Sequence, residues 1–238
     1  MLNKKNFYIN GKWVPAIETR NYKVIDPSNE EPCAEISLGG KKDIDKAVSA
    51  AKKAFSTWAF SKKEERLELL EKLYVIYKKR WAEMAKLITL EMGAPMKFST
   101  EMQAATGASH IKSFKNILKD FKFEKDLGEE KNNQKLLYEP KGVCALITPW
   151  NWPINQVNLK VIPALASACT VVLKPSEIAP LSSMLLAEMI DEAKFPSGVF
   201  NLLNGDGAIT GNALTSHPDI NMISFTGSTR AGALISQN

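Results

Sequence analysis

Four short segments hold side chains that could do chemistry, and each follows an apolar run. Thr148-Pro149-Trp150-Asn151-Trp152-Pro153 sets an amide between two indoles. Asn151 as a helix N-cap and Pro153 in the first turn would explain those two residues alone. Two tryptophans are costly to leave exposed, however, and point to a pocket wall where the amide could donate to a developing oxyanion. Both readings stand on the residues alone. Lys174-Pro175-Ser176-Glu177 offers an ammonium and a carboxylate able to reach sugar or phosphate oxygens. A carboxylate just after a strand is what a dinucleotide site uses to accept from ribose hydroxyls; the alternative is a solvated loop. Asn204-Gly205-Asp206-Gly207 through Gly211 is glycine-rich and lets a flat ligand or a phosphate come close. Such loops are common. Phe225-Thr226-Gly227-Ser228 runs from strand through a glycine turn into a helix start, where free amides and the helix dipole suit an anion. It is not GxGxxG, and no Lys-Ser/Thr follows Gly232, so it is not a P-loop either.

The elements that must position these segments alternate. Residues 142–147 read as a strand and 153–168 as a helix. Residues 170–173 and 181–193 repeat the pair, as do 199–203 with a shorter helix. Residues 221–225 form a last strand before a helix opening near Ser228. The strands are near-continuous apolar runs, the pattern of a parallel sheet covered on both faces. In such a sheet the ligand sits beyond the C-terminal strand ends, where all four segments fall. Upstream, Asn10-Gly11 between Phe7-Tyr8-Ile9 and Lys12-Trp13-Val14 predicts a hairpin, and Asp26-Pro27-Ser28 a turn. Helix spacing begins at Asp43, a candidate cap, and returns over 64–80, then from Trp81 to a stop at Gly93, then over 97–120. Residues 121–139, with a polar centre at Asn132-Asn133, read as a two-stranded excursion.

The 238 residues are 45% apolar and 24% charged, a globular composition. No window approaches the roughly 18 apolar residues of a membrane span, and no apolar stretch follows the two N-terminal lysines as in a signal peptide. Neither a membrane nor a nucleic acid is expected as a partner. Residues 1–139 carry 26 basic and 20 acidic side chains, but these interleave along helix faces, as in Lys62-Lys63-Glu64-Glu65-Arg66. Cys33, Cys144 and Cys169 lack CxxC spacing, so neither a disulfide framework nor a zinc site is expected, and a reducing cytoplasmic location is the default.

Taken together, the segments resemble the aldehyde dehydrogenase superfamily. The similarity is carried by Ile147 through Pro153, Lys160 with Pro163-Ala-Leu-Ala, Thr170 through Glu177, Gly198-Val-Phe-Asn, Gly207 with Gly211, and Phe225 through Ser228. Ile9-Asn-Gly-Lys-Trp13, Asp26-Pro27 and the Ala-rich helix at 44–58 extend it upstream. It covers essentially the whole chain, but only about the first half of a family member of usual length. The resemblance implies an α/β fold: a Rossmann-like parallel sheet with flanking helices, an N-terminal hairpin and helical segment, and a bridging hairpin. It divides the chain into 1–120, the first part of the cofactor domain; 121–139, the bridging and oligomerisation hairpin; and 140–238, an incomplete dinucleotide-binding core, with no catalytic domain.

The activity it implies is NAD(P)-dependent oxidation of an aldehyde to a carboxylic acid. Asn151 would be the oxyanion amide and Lys160 would support the catalytic centre. Ile147, Thr148, Pro149 and Trp150 would line the nicotinamide-ribose and phosphate side. Lys174, Ser176 and Glu177 would hold the adenosine ribose, with Glu177 favouring NAD over NADP. Gly207 and Gly211 would flank the adenine, and Phe225, Thr226, Gly227 and Ser228 would meet the nicotinamide end and pyrophosphate. The full-length enzyme would be a homodimer or homotetramer. The family's cysteine nucleophile and its glutamate base in a Glu-Leu-Gly-Gly segment have no counterpart here, and the last helix reaches Asn238 without a stop signal. The chain alone is therefore expected to be inactive. The alternatives are a non-catalytic dinucleotide-binding or assembly module and a related acyl-phosphate or acyl-CoA reductase.

Overall fold

Short-range chemistry sets the first elements. β1 (Leu2–Lys4) leads to β2 (Asn6–Ile9) and β3 (Lys12–Pro15), paired antiparallel across Asn10-Gly11. Both turn residues take positive φ, 53° and 72°, the turn whose twist matches that of the flanking strands. β4 (Arg20–Asp26) and β5 (Glu31–Leu38) meet through the predicted turn, where Asp26 accepts from the Ser28 and Glu30 amides. With β1 they form a small sheet in the order β1-β5-β4. The computed structural model describes residues 1–127 and 134–237; the Asn132-Asn133 centre lies outside the described residues.

α1 (Lys41–Trp58) follows, then α2 (Lys63–Lys79), α3 (Trp81–Met92) and α4 (Met96–Phe98). A π turn at Ser99–Gln103 carries α4 into α5 (Ala104–Asp120). The stop at Gly93 is as the sequence predicts, with φ 76° closing α3. Asp43 differs from its expected role. It is the third helical residue and not the cap, and its buried carboxylate accepts from Gly40 N–H at 3.1 Å and from the amides of Ile17 and Glu18. Held this way, it ties the segment before β4 to the start of α1.

β6 (Glu124–Asp126) and β7 (Lys135–Leu137) pair as the expected two-stranded excursion, exposed throughout. The alternating region then runs β8 (Val143–Ile147), α6 (Pro153–Ala166), β9 (Thr170–Lys174), α7 (Leu181–Glu192) and β10 (Phe200–Leu202). A π turn at Gly207–Gly211 and α8 (Asn212–Thr215) make up the predicted shorter helix, before β11 (Met222–Phe225) and α9 (Thr229–Ile235).

The main sheet has the order β11-β8-β9-β10-β2-β3. Its first four strands are parallel, while β2 joins β10 antiparallel. The N-terminal hairpin thus completes the same sheet as the alternating region. Every residue of β8, β9 and β10 is buried. Side chains alternate between two cores. Cys144, Leu146, Val171 and Leu173 face the layer of α6 and α7, backed by α2 and α5. Val143, Ala145, Ile147 and Val172 face α1. Each fully buried aliphatic side chain is worth roughly 1.5–3 kcal/mol, so these two cores dominate the stability of the region. After β10 the chain crosses back to lay β11 on the far side of β8, which puts a topological switch point between β8 and β11.

Candidate functional site

A ligand in an open parallel sheet lies outside the C-terminal strand ends at the switch point. A cavity of about 450 Å³ lies there, lined by Ile147, Lys174, Gly207, Gly211, Phe225 and Ser228. These six sequence-predicted residues come from the ends of β8, β9 and β11, the π turn after β10, and the N-cap of α9. The size is in the usual range for a small-molecule site. Arg230, Ala231, Leu234 and Ile235 add one face of α9, and Ala208, Asn212, Thr215 and Gln237 complete the lining. None of these was singled out from the sequence. The helical spacing of the four α9 residues was the available signal.

Lys174 is 4% exposed, and its ammonium donates to the carbonyls of Gly205 at 2.6 Å and Pro175 at 3.0 Å. Glu177, half-buried, stands 3.8 Å from it. Burial lowers the lysine's pKa, and the carboxylates of Glu177 and Asp206 oppose that pull. Lys174 is thus not the solvated loop residue that the sequence left open. Ser176 is buried and its hydroxyl accepts from the Ile178 amide at 3.3 Å. The glycine-rich loop is held from a distance: Arg20 pairs with Asp206, whose other oxygen accepts from Ile209 N–H at 2.7 Å. A Cβ on Gly207 would meet nothing within 4 Å, and one on Gly211 would first meet Asp206 O at 3.5 Å. The fold's own packing requires neither glycine, and both leave room in the cavity.

The segment after β8 is placed differently. Thr148 is buried, and its amide continues the ladder to Lys174 O at 3.3 Å, but Trp150 is 49% exposed. Asn151 is exposed too. The N-cap of α6 is Trp152, in the left-handed region at φ 52°, so Asn151 does not cap. Trp152 packs edge-on against Phe98, with ring centroids 5.3 Å apart. Only this one of the two indoles is drawn into the protein. Pro149 lies between, partly buried.

Lys160, on α6, is brought to the segment after β11. Its ammonium donates to Thr226 Oγ1 at 2.7 Å, and burial lowers its pKa. It lines a second, smaller cavity of about 200 Å³ together with Cys144 and Cys169. Gly227 is exposed. The Ser228 hydroxyl accepts from Ala231 N–H at 3.2 Å, so it serves α9 as a cap. Cys144 and Cys169 are buried; the Cys144 thiol donates to Gly142 O at 3.9 Å and Cys169 Sγ accepts from the Ser167 hydroxyl at 3.6 Å. The interaction between the two thiols raises the pKa of Cys144 and lowers that of Cys169. Cys33, half-buried on β5, donates to Val24 O at 3.3 Å. None of the three lines the larger cavity.

The fold has counterparts among known proteins. An aldehyde dehydrogenase from Bartonella henselae superposes on the whole chain with a TM-score of 0.97 at 59% identity, and the match covers 50% of that protein. An aldehyde dehydrogenase from Pseudomonas syringae, solved with NAD+ and octanal, gives a TM-score of 0.95 at 43% identity over 98% of this chain and 47% of that one. A Pseudomonas 3-succinoylsemialdehyde-pyridine dehydrogenase is 48% identical over 99% of this chain and 49% of its own length. The chain therefore spans about half the length of the relatives it matches. The model of the aldehyde dehydrogenase family matches residues 13–238, and the chain belongs to that family.

Proposed function

We propose that the cavity at the switch point holds the adenosine and pyrophosphate of NAD, and that the whole protein oxidises an aldehyde to the carboxylic acid. The observation that carries this is the convergence of Ile147, Lys174, Gly207, Gly211, Phe225 and Ser228 on one cavity from separate strand ends. When bound, NAD accepts a hydride from the substrate carbon.

The chain's own residues bind and orient. Ile147, Phe225 and Leu234 supply apolar surface for a flat base, and the bare backbone at Gly207 and Gly211 lets it approach. Lys174, preset by Gly205 and Pro175, offers its remaining N–H to a ribose hydroxyl. Glu177 accepts from the same sugar and would repel a 2′-phosphate, which favours NAD over NADP. Ser176 shapes this loop. The backbone from Ile147 to Trp150, with Thr226, Gly227 and Ser228, faces the pyrophosphate and nicotinamide side. Asn151 holds its amide in the open, free to donate to an oxyanion, and Lys160 steadies Thr226. P. syringae aldehyde dehydrogenase was solved with NAD+, which supports the assignment by kinship.

Each thiol in this chain is engaged elsewhere, so none is presented to a carbonyl carbon. Without a thiol adduct there is no hydride to transfer, and the 238-residue chain by itself does not oxidise aldehydes. Residues 1–120 and 140–238 build the cofactor domain. Residues 121–139 join copies of the whole protein into a homodimer or homotetramer, in keeping with exposed Leu136, Leu137 and Tyr138 on the hairpin. The free cysteines fit a reducing cytoplasm. Among the described residues no helix is long and apolar enough to cross a membrane.

Calorimetric titration of the chain with NAD and with NADP tests the binding site. Saturable binding of NAD, weaker for NADP, is expected, and no binding of either would sink the assignment. Incubation with NAD and octanal should leave NADH absorbance flat; steady turnover would show that a thiol in this chain does reach the substrate.

A further inference from the structure

We infer that Glu91, on α3, is a positioning residue for dinucleotide binding: it fixes the start of α7 and so the loop that presents Lys174, Ser176 and Glu177. This rests on reading that loop as the ribose site.

α7 is buried along most of its length, including its first turn. A buried helix start needs acceptors for amides that have no partner within the helix. Its N-cap is Pro180, which offers no side-chain acceptor. Glu91 supplies both oxygens from a helix 90 residues earlier: Oε2 accepts from Leu181 N–H, and Oε1 from Ser182 N–H at 3.0 Å. The loop's other end is tied by Lys174 to Gly205 O. Residues 175–180 are therefore pinned on both sides.

The arrangement is expensive for a mere packing contact. Glu91 is 1% exposed, and among the described residues no lysine or arginine forms an ion pair with it. Burial pushes its carboxyl up to about 7, against the hydrogen bonds from Ser182 and Leu181. An apolar side chain of similar volume would hold α3 against α7 at lower cost. What it could not do is fix the register of two amides.

The test is Glu91→Gln in the full 238-residue chain. Gln keeps one acceptor oxygen and turns an NH2 toward the second amide. NAD affinity is read by calorimetry and backbone order by amide hydrogen exchange, with Ile88→Val on the same helix as a control that only loosens packing. Glu91→Gln should weaken NAD binding roughly five- to tenfold, the scale of one lost hydrogen bond, and speed exchange across 175–182 alone. Ile88→Val should lower the melting temperature with neither effect. If wild type binds NAD and Glu91→Gln binds equally well, the inference falls while the site stands. If wild type does not bind NAD, the proposed site falls, and unchanged exchange at 175–182 would remove the inference as well. Should Glu91→Gln fail to fold, Glu91→Asp gives the same readouts, since its shorter reach cannot serve both amides.

Discussion

The loop after β9 turns its polar side chains inward. Lys174 and Ser176 are buried, the ammonium spans two carbonyls, and Glu91 anchors the far end. The loop after β8, one strand over at the same edge, turns them outward. Trp150 is half exposed, and Asn151 is exposed with no hydrogen-bond partner among the described residues. The difference separates two ways of preparing a site. A buried polar group with all partners in place is rigid before a ligand arrives, and removing it strands the groups it satisfied. An exposed, unengaged amide contributes nothing to folding, so its value lies only in what it meets later.

That contrast can be broken at several points. The largest effect belongs to Lys174→Met, which leaves the Gly205 and Pro175 carbonyls without their donor. It should destabilise the chain by about 2 kcal/mol, read from urea denaturation. A loss near zero would mean that Lys174 is not the internal strut described here.

Glu91 gives a pH-dependent version of the same idea. Burial lifts its carboxyl from 4.5 to about 7, so between those values the folded chain holds a proton that the unfolded chain releases. Its contribution is greatest below about pH 4.5 and is lost as the pH rises through about 7. The stability difference between wild type and Glu91→Gln should therefore drift against wild type between pH 5 and pH 7.5. A constant difference across that range would show that the carboxyl is not perturbed by its burial.

The smallest effect sharpens the comparison from the other side. Asn151→Ala should change stability by less than about 0.5 kcal/mol, as for an exposed residue away from caps and cores. A larger loss in thermal denaturation would mean that Asn151 supports the turn into α6 after all.

Much of the frame was legible along the chain. Asn10-Gly11 named its hairpin, Gly93 its helix end, and the apolar runs from Val143 onward named the parallel strands. The resemblance of the four strand-end segments placed the family. Caps were read less well. Asp43 and Asn151 both had cap chemistry, yet Gly40 and Trp152 stand at those positions. The preference for Asp and Asn at helix starts does not say which residue enters first, and packing of Trp152 on Phe98 holds a non-glycine residue in the left-handed region.

What the sequence determined by itself was local: which stretches are strand or helix, and that polar residues gather at strand ends. Those signals come from backbone preference and hydrophobic period, which act within a few residues. Only the tertiary structure decided that Arg20 would steady Asp206, that Lys174 would be an internal strut, and that Glu91 would serve a helix 90 residues later. A charge has no local pattern that names its partner. Its partner is set when β10 pairs with β9 and α3 comes to rest on α7, because burial then makes an unsatisfied amide or carbonyl too costly to leave alone.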